Sequence, residues 1–176
     1  MKFHCHLVVA SIVAAISIAS LAQAATTGTS NVVLVASPHA MIQILDPTLT
    51  LTPTAANYDA EFVEATGGSG LRVRVKTNST TGMILSVRCA DASPQIALAD
   101  LLVRTATASP TGGSTMSTYT PITSTNQTLW TVGAPQHPWL TVNTDVRVQN
   151  LFNYDAAVLI GTATYTNTLT YTVLTQ

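Results

Sequence analysis

A chain of 176 residues with seven basic and eight acidic side chains, a formal net charge of −1 and 47% hydrophobic residues has one domain's length and enough apolar content to bury a core. The lack of a basic surplus argues against a partner held by bulk positive charge, which sets aside nucleic acid and anionic lipid. Few charges and abundant threonine favour extended structure under a hydroxyl-rich exterior.

Lys2, the apolar run Leu7 to Leu21 and the small-residue site Ala22-Gln23-Ala24 read as a secretory signal peptide over residues 1–24. The apolar run is short of the ~20 residues that a spanning helix needs. Cleavage after Ala24 is expected to leave residues 25–176 as one domain, secreted or held at the cell surface, in the periplasm or outside it, with no integral membrane segment. Cleavage also removes Cys5 and leaves Cys89 alone, so no internal disulfide is expected. Cys89 continues the row Met83, Leu85, Val87 and reads as a buried small hydrophobe.

Residues 25–30 form a small, polar leader. Asn31, Val32, Val33, Leu34, Val35 and Ala36 follow as an apolar run of a length that suits a strand buried on both faces. That strand belongs either to its own domain or, as a donor strand, to a neighbouring copy. Ser37-Pro38-His39 interrupts the run, and strands are expected over Met41 to Leu45 and Leu49 to Pro53, with weak alternation over Ala60 to Glu64. Asn57, Asp59 and Glu61 fit an Asx-type turn better than a calcium loop. Gly67-Gly68-Ser69-Gly70 reads as a flexible turn.

Leu71 to Thr77 alternates strictly, with Leu71, Val73 and Val75 on one side and Arg72, Arg74 and Lys76 on the other. With Met83 to Cys89 it predicts a hairpin across residues 78–82. The cations read as a solvated face or a charge-protected edge. A brief helical turn is expected within Ile96 to Leu102, and residues 106–128, rich in Ser, Thr, Pro and Gly, as a loose stretch with a weak edge strand near Met116 to Ile122. Short strands are expected at Leu129 to Val132, Trp139 to Val142 and Asp145 to Val148, with Gly133 to Pro138 as a turn. Ala156 to Ile160 is apolar. The final strand, Thr162 to Thr175, alternates threonines with Ala163, Tyr165, Leu169, Tyr171 and Val173, and a bend is expected at Asn167 because so long a strand is unusual.

Many short strands between turn signals, with no sustained helical period, indicate an all-β sandwich or barrel. No nucleophile elbow, phosphate loop or metal-ligand spacing occurs, and His39 and His137 lie in separate turns. No catalytic residue, metal or cofactor is therefore assigned, and the chain reads as a non-enzyme. Trp130 and Trp139 flank Gln136-His137-Pro138, so Trp130, His137 and Trp139 are candidate glycan contacts, although tryptophans on short strands are normally core. Asn78-Ser79-Thr80 and Asn126-Gln127-Thr128 match the N-glycosylation acceptor pattern.

The segment LRVRVKTNSTTGMILSVRC and the terminal GTATYTNTLTYTV together resemble exported bacterial cell-surface β-sandwiches of the fimbrial (pilin-type) and WxL-like kinds. The resemblance implies a single immunoglobulin-like or fimbrial-type antiparallel β-sandwich. It also implies a structural or adhesive surface protein, of the fimbrium or filament type, that self-associates or joins other surface proteins by strand addition. A surface carbohydrate-binding module is the alternative. Trp130-Thr131-Val132 and Trp139-Leu140-Thr141 depart from Trp-x-Leu, and the disulfide common in fimbrial subunits has no counterpart.

Overall fold

The computed structural model describes residues 31–106, 112–154 and 163–176. The signal peptide expected over residues 1–24 and the apolar run Ala156 to Ile160 lie outside the described residues. The chain divides into two units, Met1–Val35 and Ala36–Gln176. In the first, residues 31–35 carry no strand or helix, and Val32, Val33, Leu34 and Val35 are 96%, 80%, 88% and 88% exposed. The buried strand expected over Asn31 to Ala36 is thus not formed within this chain's described residues, where regular structure begins at Ala40.

The second unit is an antiparallel sandwich. Its strands are β1 (Ala40–Ile44), β2 (Phe62–Ala65), β3 (Leu71–Thr77), β4 (Met83–Cys89) and β5 (Leu101–Thr105), then β6 (Ser114–Thr115), β7 (Thr120–Pro121), β8 (Gln127–Val132), β9 (Gln136–Gln149) and β10 (Leu169–Thr175). One sheet has the order β1-β3-β9-β5-β7, with β2 also paired to β9; the other has the order β10-β4-β8-β6. A single helix turn and a half, α1 (Ala55–Ala60), precedes β2. Asn57 closes it at its start, accepting from the Thr54 backbone N–H at 2.9 Å and the Thr54 hydroxyl at 2.8 Å.

Alternation explains the core. Val73 and Val75 of β3, Val103 of β5, and Val142, Val146 and Val148 of β9 face Met83, Leu85, Val87 and Cys89 of β4 across the sandwich. Each such aliphatic side chain contributes roughly 1.5–3 kcal/mol by leaving water. A register shift of β8 between Leu85 and Ser86 lets consecutive Leu129 and Trp130 both turn inward. Cys89 is free and buried, and that burial raises its thiol pKa.

The predicted hairpin between Leu71 to Thr77 and Met83 to Cys89 is corrected: β3 and β4 lie in different sheets. Residues 78–82 carry the chain across the sandwich, with the Ser79 hydroxyl held in the interior beside Thr81 at 2.9 Å. The crossing ends at Gly82, whose φ of +91° and 1.7 Å gap between an ideal Cβ and the Val132 carbonyl oxygen exclude any side chain. Alternation marks an inward face equally in either sheet, so it is silent about which strand is the neighbour.

Other expectations shift for similar reasons. Leu49 to Pro53 forms no strand; Leu49 and Leu51 instead lie half-buried against the core from an irregular segment. The two fragments expected at Trp139 to Val142 and Asp145 to Val148 are one strand, β9. Pro138 is accommodated because that half of β9 pairs with β3 alone, leaving one side without a ladder to donate to. The final strand begins only at Leu169. Just before it, the Asn167 side chain replaces backbone pairing, accepting from Ile96 N–H at 2.9 Å and donating to Ile96 O at 2.7 Å. Among the described residues no helix is long and apolar enough to cross a membrane.

Candidate functional site

The outer face of the six-stranded sheet gathers most of the chain's positive charge. Since Val73, Val75, Val103, Val146 and Val148 point inward, their neighbours Arg72, Arg74, Lys76, Arg104 and Arg147 point outward. Five of the seven basic residues in the sequence therefore share one surface.

Three of the five are neutralised. Arg72 holds Asp46 with both ends of its guanidinium, at 2.7 and 2.9 Å. Arg104 donates to Asp145 at 2.9 Å, and the other oxygen of that buried carboxylate accepts the Gly67 N–H at 2.7 Å. Arg147 contacts Glu64 at 2.7 Å and lies between the rings of Phe62 and Tyr119, 4.2 and 4.1 Å from their centres. Tyr119 donates its hydroxyl to Glu64 at 2.9 Å, and burial, then that bond, push its pKa up to about 12.

These pairs bear on acid stability. The Arg72 hydrogen bond holds the Asp46 carboxyl below the usual range. Burial raises Glu64, but the bonds from Arg147 and Tyr119 outweigh it, so Glu64 also lies low. Carboxylates depressed in the folded state add stability that is fully present above their unfolded values, about 4, and is lost as pH falls through the folded ones. The thermal midpoint is therefore expected to be level from pH 7 to about 5 and to fall below about pH 4, less steeply in Asp46→Asn/Glu64→Gln. An equally steep fall in that variant would contradict the assignment.

Among the described residues, the remaining two cations are paired with no carboxylate. Arg74 donates to the Gln43 side-chain oxygen at 2.7 Å, and both Arg74 and Lys76 lie over the half-buried ring of Trp139, at 5.0 and 4.7 Å from its centre. Beside Lys76 opens a hollow of about 310 Å³ lined by His39, Met41, Thr77, Asn78 and His137. Asn78 braces its rim, accepting the His39 N–H at 2.6 Å and donating to Ser37 O at 3.0 Å.

Of the candidate glycan contacts, His137 and Trp139 thus lie on this face. Trp130 does not: it is fully buried in the four-stranded sheet, and its indole N–H donates to Gly112 O at 2.9 Å, leaving no ring face for a sugar. His39 joins the site unforeseen, brought to His137 by the pairing of β1 with β3 and β3 with β9. Its position in a break between apolar runs was the only signal. Among the described residues, no three His, Cys, Asp or Glu side chains cluster as metal ligands would.

A second feature is an apolar cleft of about 1040 Å³ within the sandwich, whose walls include Val63, Leu71, Leu101, Val146 and Val148. Its rims, residues 46–53 and 163–168, are irregular segments with no strand. Among the described residues no strand pairs with the outer edges of β1 and β10, which approach each other on the same side, with Met41, Ile44 and Leu174 exposed on them. Set against known proteins, the chain matches no family model, no curated protein and no solved structure.

Proposed function

We propose that this is an exported, non-enzymatic structural or adhesive surface protein whose copies assemble by strand addition. One observation carries the reading: four consecutive apolar side chains, Val32 to Val35, stand exposed in a run of strand-forming residues. A run like that is stable only when another backbone and another apolar face cover it. The free edges beside the apolar cleft offer both, since an added strand satisfies unpaired backbone groups and buries alternate side chains. The occupant is the Asn31 to Ala36 segment of a second copy.

The test compares the exported protein with a variant lacking residues 25–36, by sedimentation velocity and negative-stain microscopy. The full protein is expected to form oligomers or fibres, and the shortened one to remain a folded monomer. Unchanged self-association after the deletion would end the proposal. A second reading, a surface carbohydrate-binding module, is favoured by one observation of its own: His137 and Trp139 share an outer face with two unneutralised cations.

A further inference from the structure

Lysines and arginines on the solvent face of a sheet ordinarily extend into water, where their long stems keep rotamer freedom. Arg74 and Lys76 do not. Both are drawn over one indole ring and fixed there, Arg74 additionally by Gln43, an arrangement that orders two cations without neutralising either. The contrast with Arg72, Arg104 and Arg147, each bonded to a carboxylate on the same face, shows that pairing was available to this surface and is missing at one place.

The hollow beside Lys76 adds donors and acceptors from two imidazoles, an apolar wall from Met41, and no acidic side chain. At about 310 Å³ it is at the small end of ligand-holding clefts. Two free cations are few for a nucleic-acid backbone, which binds by releasing several counterions at once. An acidic sugar chain fits better, because each residue presents one carboxylate, several hydroxyls and an apolar ring face.

We infer that the Trp139 surface and its hollow bind a carboxylated polysaccharide, with Arg74 and Lys76 taking carboxylates and His39 and His137 bonding the sugar hydroxyls. This rests on the carbohydrate-binding reading and is independent of strand addition.

Native electrophoresis of the exported protein through gels containing polygalacturonate tests it, beside gels with the fully methyl-esterified polymer and with polyglutamate. Retardation is expected in polygalacturonate only. It should weaken about tenfold in Arg74→Gln/Lys76→Gln, in keeping with the loss of two charge-assisted contacts, and persist in Lys76→Arg. Arg88→Gln, which removes one positive charge from a strand of the other sheet, should be retarded as much as the unaltered protein, each relative to its own mobility in a gel without polymer. Equal retardation by the ester would overturn the acidic specificity while leaving the carbohydrate reading standing. Equal retardation by polyglutamate, an equal loss in Arg88→Gln, or no retardation at all would overturn the proposal.

Discussion

Replacing Trp130 by alanine is expected to cost about 4 kcal/mol of folding stability, the middle of the range for a large core aromatic. Trp130 is the largest fully enclosed side chain in the described core, seated on β8 opposite Leu85. Its indole N–H also donates to the Gly112 carbonyl at 2.9 Å, so truncation opens a cavity and removes a hydrogen bond together. Trp130→Phe separates the two contributions: it keeps much of the volume and should cost only about 1–2 kcal/mol, mostly the lost hydrogen bond and the smaller ring. Denaturant unfolding followed by far-ultraviolet circular dichroism gives both numbers. A loss under about 1 kcal/mol for the alanine variant would show that the ring is not enclosed as described.

Asp145→Ala should be nearly as damaging, at about 3 kcal/mol, the lower end for breaking a buried ion pair because Arg104 keeps some contact with water. The carboxylate is 2% exposed and serves two donors, the Arg104 guanidinium and the Gly67 N–H. Removing it strands a cation and an amide. If the stranded cation is the main cost, Arg104→Met in the same background should restore about 1 kcal/mol or more. A double variant no more stable than Asp145→Ala would place the cost in the Gly67 turn instead.

The strands were legible and their neighbours were not. Val73 and Val75 alternate with three cations, and Leu85, Val87 and Cys89 alternate with Ser86 and Arg88, so both segments announce a half-buried strand. The same pattern arises whether two strands lie side by side or face each other through the core, which is why the expected hairpin gave way to a crossing. The loose-looking Thr-Gly-Gly-Ser stretch concealed another constraint. Gly113, with φ +76°, passes so close to β8 that a Cβ would collide with the Thr131 carbonyl oxygen and lie 2.9 Å from the Trp130 indole nitrogen, and only the folded position of that strand reveals the need for glycine. At the site, Arg74, Lys76, His137 and Trp139 were each visible as residue types. Their convergence depends on the β3–β9 register, and the neutralisation of Arg72, Arg104 and Arg147 depends on acids far away in sequence.

No two strands consecutive in sequence pair with each other among the described residues; from β3 onward the chain changes sheet at every strand. The polypeptide consequently contains no piece that can zip up by itself, and each ladder waits for a distant segment to arrive, which places folding on the slow, millisecond-to-second side. Because β10 (Leu169–Thr175) pairs with β4, the four-stranded sheet lacks one flank until those late residues have been made. Strand β9, which joins β2, β3 and β5, is equally late, so both sheets are completed only after most of the sequence has been synthesised.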